Sequence, residues 1–267
     1  MLRPASWKGA GASAALAMAL AALAYALPAT MAIDFGSGLA GALGSSGFHD
    51  REGSYRWSRA RSEILFPDPG ARSPVRLEIV LSGFRPRGAE PPRVAIEANG
   101  RTLSLTPSRR IDTYSLETST SGLWSSSSRA QIRSEVFMPG AGDERALGVR
   151  VHEARLILDG PALPPLKQVL AAGVLAALFA FRSGPAAGSV LGILLGIAFH
   201  FFRFHAALLV PPLAVAAFLL ALATRFFPAS TRIASDLSRR FVQALLDGAR
   251  PLRTRGFFPL AAILALG

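Results

Sequence analysis

Hydrophobic and polar positions follow two patterns along the chain. Residues 9–33 and 183–224 are long apolar runs whose one charged residue is Arg203. Between residues 55 and 158, short segments of alternating apolar and polar residues are separated by clusters of Gly, Pro, Asn and Ser. Long apolar runs are typical of buried or membrane helices, and period-two alternation is typical of half-buried strands. The pattern therefore predicts helices on both sides of one all-β domain.

The first apolar run contains 25 residues without a charge between Lys8 and Asp34. About 20 apolar residues suffice for a helix to cross a bilayer. Residues 1–33 are therefore predicted to hold a cytoplasmic N-terminus and a first transmembrane helix. A cleaved secretory signal is the alternative, because small residues near Thr30 follow a basic start and an apolar centre. In both cases the next domain is exported.

Three further transmembrane helices are predicted within residues 161–224, at about 163–181, 184–202 and 204–224. Lys167 lies near the start of the first and is expected to extend its ammonium group to the outer interface. Arg203 lies between the other two, flanked by His200 and His205. We expect these residues in the outer turn of a helical hairpin, where a charge costs little free energy.

The C-terminal segment is basic. Residues 225–255 include seven Arg, which the positive-inside rule places in the cytoplasm. An amphipathic helix is predicted there, either as an ordinary connecting helix or as a lipid-binding one. Its candidate contacts with lipid headgroups are Arg239, Arg240, Arg250 and Arg253. Residues 256–267 are apolar but too few to cross a membrane, and they are predicted to begin a further helix of a longer protein.

Residues 34–160 are predicted to form the exported β-sandwich. The predicted strands cover residues 55–60, 62–66, 75–82, 93–98, 102–106, 112–117, 130–137 and 147–158. Asn99 and Gly100 both tolerate positive φ and are typical of a two-residue hairpin turn. Since the domain leaves one membrane helix and returns to another, its first and last strands are expected at the same rim.

Composition and charge support this assignment. The chain is 51% hydrophobic and carries a formal net charge of +12. Ten basic and two acidic residues lie after residue 166, beside apolar runs, so the charge indicates membrane topology rather than a nucleic-acid partner. The sequence contains no cysteine, which excludes disulfides, zinc-thiolate sites and thiol catalysis.

A group of titratable residues, His49, Asp50 and Glu52, lies in the predicted loop before the first strand. Glycosidase chemistry needs two carboxylates at a set separation, and such a group also resembles a calcium or zinc site. The simpler interpretation is solvated loop charges, because acidic and basic residues alternate throughout this domain. We name no catalytic residue, metal or cofactor. The sequence has no nucleophile elbow and no phosphate-binding loop.

Four aromatic residues are candidates for sugar contacts: Tyr55, Trp57, Tyr114 and Trp124. Tyr55 and Trp57 share a strand face, so at least one is expected in the core. Trp124 lies in a Ser- and Gly-rich loop, where an exposed contact with a ligand or with the membrane interface is expected.

Several segments carry a resemblance to a known group of proteins: IDFG at 33–36, GFHDREGSYRWSRARSEILFP at 47–67, the hairpin with its NG turn, and RALGVRVHEARLI. They resemble the jelly-roll domains near the N-terminus of uncharacterised polytopic bacterial membrane proteins. Several of those proteins resemble GT-C-type glycosyltransferases, which use polyprenyl-phosphate sugars. The resemblance implies a carbohydrate-binding-module-like sandwich beside a transferase core. It also implies an acidic catalytic residue in the first outer loop, where Asp34 is the comparable position, but the sandwich fills that loop here and the role is not transferred.

The sequence thus leads to two hypotheses of function. The first is the N-terminal part of a glycosyltransferase-like protein of the bacterial inner membrane, with an outward-facing sandwich that binds or positions carbohydrate. The second is a non-catalytic anchored sandwich that docks an envelope protein. A transporter-related role has least support, since no ionisable pair lies within a predicted span. The expected partners are membrane lipid and a glycan or polyprenyl-linked sugar, not nucleic acid.

Overall fold

The computed structural model describes residues 7–36, 44–86, 89–140 and 142–226. In these ranges the first helix, α1 (Trp7–Ala26), is followed by a β-domain. Its strands are β1 (Ala29–Asp34), β2 (Ser45–Glu52), β3 (Tyr55–Phe66), β4 (Arg72–Ser82), β5 (Val94–Ala98), β6 (Arg101–Leu105), β7 (Asp112–Thr120), β8 (Ser128–Ser134) and β9 (Arg150–Leu158). Three helices follow, α2 (Leu166–Ser183), α3 (Pro185–Phe201) and α4 (Arg203–Phe226).

The β-domain is an antiparallel sandwich. One layer has the order β2-β3-β8-β5-β6, and the other has the order β1-β9-β4-β7. The layers join where Arg56 and Trp57 of β3 pair with Val151 and Arg150 of β9. Alternate residues of each strand face inward, as Leu77, Ile79 and Leu81 of β4 do, and together they form one buried apolar core.

The NG hairpin is confirmed. Ala98 pairs with Arg101, and Asn99 and Gly100 have φ of 48° and 79°. These are the positive values that a tight hairpin turn requires.

Several predicted boundaries were wrong. The first helix ends at Ala26 instead of residue 33, because Pro28 lacks an N–H and disfavours helix in the residue before it. Residues 29–34 then form β1. His49, Asp50 and Glu52 lie in β2 and not in a loop, and residues 55–66 form one strand because no Gly or Pro interrupts them.

The two ends of the sandwich differ in their surroundings. Ala29 pairs with Leu158, so the strand that leaves α1 and the strand that leads to α2 lie side by side, as expected. We call this helix-facing end the proximal rim. The opposite end, with Glu52 and Tyr55, is the distal rim. β3 runs between them over 12 residues, or roughly 40 Å at 3.3 Å per residue.

The four helices have small residues inside and large apolar residues outside. Their interior is rich in alanine, and Gly188 and Gly192 permit close approach because a Cβ at either would press on Ala180 or Ala17. Among the described residues, three helices are long and apolar enough to cross a membrane by length and composition, at Trp7–Ala26, Leu166–Ser183 and Arg203–Leu222. α3 is a shorter apolar helix of 17 residues. The candidate headgroup contacts Arg239, Arg240, Arg250 and Arg253 and the apolar residues 256–267 lie outside the described residues.

Candidate functional site

At the distal rim, the Glu52 carboxylate receives three side-chain hydrogen bonds. Arg145 Nη1 donates at 2.7 Å, Trp57 Nε1 at 3.1 Å and Tyr55 OH at 3.3 Å. The arrangement follows from the β2–β3 hairpin, in which Glu52 pairs with Tyr55 across the turn at Gly53 and Ser54. A carboxylate with several donors is held in a defined orientation.

Arg145 links Glu52 to a second carboxylate, Asp143, which it contacts at 2.7 Å. Burial acts to raise the pKa of Glu52, but hydrogen bonds from Arg145, Trp57 and Tyr55 and the charge of Arg145 outweigh it, so the pKa is lowered. Side-chain and backbone hydrogen bonds from Arg145 lower the pKa of Asp143 to about 2. Neither carboxyl therefore suits a glycosidase general acid, which must keep its proton near neutral pH.

Behind this network, three aromatic rings surround the Arg150 guanidinium, and Trp57 meets Tyr55 and Phe84 edge to face. The Arg150 guanidinium lies 3.9 Å from the ring centre of Phe84 and 4.7 Å from those of Tyr55 and Trp57. Trp57 is 3% exposed and belongs to the core, as expected for one of the pair, whereas Tyr55 is half-buried at the rim. A guanidinium this close to aromatic ring faces is attracted to them, which stabilises the position of the side chains behind Glu52.

The remaining predicted residues are dispersed. His49 Nε2 lies 2.9 Å from the Ala146 carbonyl oxygen, and Asp50 is exposed on β2. Tyr114 packs against the sandwich core. Within the described ranges, no group of three or more His, Asp or Glu side chains is arranged to hold a metal ion. Asp34 ends β1 at the distal rim, where its Oδ1 accepts a hydrogen bond from Gly36 N at 2.8 Å.

Sequence reasoning missed Asp143, Arg145, Arg150 and Phe84. Arg145 lies 93 residues from Glu52, and Arg150 reaches Tyr55 only because β9 pairs with β3. The one local signal was the alternation around Arg150, which predicts that this side chain faces away from Val149 and Val151.

Acid is expected to weaken the distal rim. Because the pKa values of Glu52 and Asp143 are lowered on folding, their contribution to stability is complete above the ordinary carboxyl pKa and is lost as the pH falls through the folded-state values. Glu52→Gln cannot titrate, so the unfolding temperature of this variant should fall less than that of the wild type between about pH 5 and pH 2. Thermal unfolding followed by tryptophan fluorescence measures the difference. Glu63→Gln, which removes the half-buried partner of the exposed Arg129, is the control. Equal losses in the wild type and Glu52→Gln would contradict the expectation.

At the proximal rim, the β7–β8 loop carries Trp124. Its indole is 60% exposed, and Leu123 and Leu163 are each 66% exposed. The carbonyl oxygens of Leu123 and Trp124 accept hydrogen bonds from the first backbone N–H groups of α2, those of Leu166 and Lys167, at 2.9 and 3.4 Å. We call the side chains of Leu123, Trp124, Leu163 and Leu166 the proximal patch.

Beside the proximal patch, sandwich and helices share a buried polar junction. Asp68, 1% exposed, lies in the β3–β4 loop and accepts hydrogen bonds from Ser125 Oγ and Ser126 N. Lys167 Nζ contacts its other oxygen at 2.8 Å, and Gln168 Nε2 donates to the same oxygen at 2.7 Å. Lys167 therefore does not simply extend into an interface, as the sequence had suggested.

Arg203 completes the junction. It begins α4, next to the predicted turn, but it is 2% exposed and not a surface charge, which corrects the expectation. Its guanidinium donates to the carbonyls of Ala24, Phe199 and Pro69 and lies 4.5 Å from the ring centre of Tyr25. Burial of the Arg203 charge is tolerated because three carbonyl oxygens and one aromatic ring replace the water molecules that would otherwise solvate the guanidinium.

Comparison with known proteins finds similarity in structure only. No family model matches the chain, and no curated protein matches it. The C-terminal family 6 carbohydrate-binding module of LamC, a marine laminarinase from Zobellia galactanivorans, is similar, with 14% identity, a TM-score of 0.31, and coverage of 48% of this chain and 99% of the module. A family 35 carbohydrate-binding module from an environmental isolate is similar at 10% identity and a TM-score of 0.30, over 51% of this chain and 99% of the module.

A family two carbohydrate esterase from Cellvibrio japonicus is also similar, with 11% identity and a TM-score of 0.31, over 52% of this chain and 36% of the esterase. The chain thus spans about a third of that enzyme. Likeness of this size concerns the sandwich and carries no argument about activity.

Proposed function

We propose that this chain places a carbohydrate-binding sandwich on the outer surface of a bacterial inner membrane. The observation that carries the proposal is the network of Arg145 with Glu52 and Asp143. Its three side chains are between 32% and 42% exposed, and hydrogen bonds hold them in place, including those that Tyr55 and Trp57 donate to Glu52. Carboxylate and guanidinium groups bond well to the paired hydroxyls of a sugar, and prior ordering lowers the entropy lost on binding.

The membrane placement is supported by the distribution of residues in the helices. In a water-soluble bundle the large apolar side chains face inward, but here seven of the eleven residues in the buried helix cluster are alanines. Large apolar side chains are instead exposed on every helix, among them Leu23, Leu170, Val174, Ile193, Ile197, Phe201, Val215, Phe218 and Leu219. Small residues between helices and large ones outside are typical of membrane bundles.

The finer form of the proposal is that the chain is part of a glycosyltransferase-like protein and that the glycan is a polyprenyl-linked sugar. It rests on the sequence resemblance of the β-domain. An alternative function, docking of an envelope protein, is favoured by one observation: Val136 and Met138 are 41% and 72% exposed on the segment that leads to Arg145. Exposed apolar side chains beside a polar network are common at protein interfaces.

Glycan binding tests the proposal. The full chain in detergent is applied to a glycan array, and Kd is measured for the best ligand. Glu52→Gln and Arg145→Gln should each weaken binding about tenfold or more, because a hydrogen bond to a charged group contributes about 1.5 kcal/mol or more. The matched control is Arg129→Gln, which removes an exposed Arg paired with Glu63 at 3.2 Å on the outer sheet face. It should leave Kd unchanged.

Two outcomes would overturn the proposal. The first is no binding of any glycan by the folded wild-type chain. The second is binding that both distal-rim variants retain. Loss of a protein partner on Met138→Asp, with no glycan bound, would instead support the docking alternative.

A further inference from the structure

The length of α2 fixes the height of the sandwich over the bilayer. α2 has 18 residues, or about 27 Å at 1.5 Å per residue, and a hydrocarbon core is about 30 Å thick. The charged residues of this helix are Lys167 in its first turn and Arg182 in its last. If α2 spans the membrane, as proposed above, Leu166 and Lys167 must therefore lie at the outer boundary of the hydrocarbon.

The proximal patch lies at the same height. The carbonyl oxygens of Leu123 and Trp124 accept hydrogen bonds from the first N–H groups of α2. These two residues therefore lie directly beside the outer boundary of the hydrocarbon. The loop thereby supplies acceptors for two N–H groups in the first turn of α2, which have no acceptor within the helix and would otherwise need water. The apolar surface continues from Leu163 through Leu166 to Leu170 and Val174, which are 66%, 39%, 47% and 37% exposed.

The chain has three tryptophans, and the two exposed ones mark the two ends of α2. Trp7, 76% exposed, packs on Phe181 near the last turn of α2, with 5.3 Å between ring centres. Trp124 lies beside the first turn of α2. Indole rings collect at the two interfaces of a membrane because one edge is polar and the body is apolar. The third, Trp57, is in the sandwich core.

We infer that the proximal patch inserts into the headgroup region of the outer leaflet, with Trp124 as its anchor. The inference rests on the proposed membrane placement. It assigns Trp124 to lipid rather than to a glycan, and it gives the sandwich a fixed height that directs its distal rim away from the bilayer.

The absence of cysteine makes single labelling sites available. Three variants of the full chain are labelled with an environment-sensitive nitrobenzoxadiazole dye in phosphatidylcholine vesicles: Leu123→Cys, Val174→Cys and Ile111→Cys. Ile111 is 59% exposed just before β7, at the distal rim, and reports on water. Val174 lies in the middle of α2 and reports on the bilayer interior. Nitroxide lipids and aqueous iodide are the two quenchers.

The dye at Leu123 should show blue-shifted emission and lose intensity to nitroxide lipids labelled near the headgroup. The dye at Ile111 should be quenched by iodide alone, and the dye at Val174 by nitroxides deep in the acyl chains. Adding Trp124→Ala to Leu123→Cys should raise quenching by iodide, because the anchor is lost. Glycan binding should survive Trp124→Ala.

The labels at Ile111 and Val174 separate insertion of the proximal patch from the proposed membrane placement of the helices. Iodide quenching at Leu123 equal to that at Ile111, with Val174 still quenched by lipid, overturns the inference and leaves the membrane placement intact. Iodide quenching at Val174 as well overturns both. Loss of glycan binding in Trp124→Ala, with Leu123 quenched by iodide, assigns Trp124 to the glycan and overturns the inference.

Discussion

Asp68→Ala is expected to lower the free energy of unfolding by about 3 kcal/mol, because it leaves buried donors without an acceptor. The Asp68 carboxylate is the acceptor for Ser126 N, Gln168 Nε2 and Lys167 Nζ at distances between 2.7 and 3.1 Å. Removal of one member of a buried pair costs about 3–5 kcal/mol, and we take the lower end since the Lys167 side chain is 28% exposed. Asp68 also has φ of 44°, a conformation that alanine adopts less readily than aspartate.

The measurement is thermal and denaturant unfolding of the full chain in detergent. Asp159→Ala is the matched control, because its carboxylate pairs with Arg76 at 3.8 Å and is 66% exposed. An exposed pair of this kind contributes at most about 1 kcal/mol. Asp68→Asn keeps the tolerance for positive φ and removes the charge. Its loss in the free energy of unfolding should therefore lie between those of Asp68→Ala and Asp159→Ala. Equal stability of Asp68→Ala and Asp159→Ala would show that the junction does not hold the sandwich on the helices.

Local features of the fold could be predicted from the sequence. The NG hairpin follows from two adjacent residues that accept positive φ, and the burial of Val149 and Val151 follows from the alternation of apolar and polar residues on either side of Arg150, where β9 begins. The helices follow from uninterrupted apolar runs. Each of these depends on neighbours a few positions away, which a single sequence displays directly.

The polar contacts could not be predicted in the same way. Gln168 lies 100 residues from Asp68, and the segment Pro67 to Gly70 has the composition of an ordinary surface turn. Lys167 and Arg203 were expected near an aqueous interface because charges flanking apolar runs usually lie there. The structure instead buries the Arg203 side chain among protein groups, and it pairs the half-buried Lys167 with the carboxylate of Asp68. Which acceptors converge on a charge is decided by tertiary packing, and a sequence pattern carries no record of it.

Arg203→Ala is expected to have the largest effect of the substitutions considered, a loss of about 4 kcal/mol in the free energy of unfolding. Its guanidinium bonds to carbonyls in the last turns of α1 and α3, at Ala24 and Phe199, and to Pro69 of the sandwich. The last carbonyls of a helix have no intrahelical donor, and a cation there also opposes the negative end of the helix dipole. One side chain thus caps two helices and links them to the β-domain.

Arg203→Lys separates charge from geometry. Lysine keeps the positive charge, but its single ammonium group cannot reach three carbonyls at once, so about half of the loss should remain. Arg182→Ala is the control. Arg182 is exposed in the last turn of α2, at the end away from the junction, so this substitution should change the free energy of unfolding by less than about 0.5 kcal/mol. Unfolding in detergent is followed with single labels on the helices and on the sandwich. If Arg203 links the two parts, the wild type unfolds in one transition, and Arg203→Ala separates the transition of the sandwich from that of the helices. A single transition at the wild-type temperature would contradict this role.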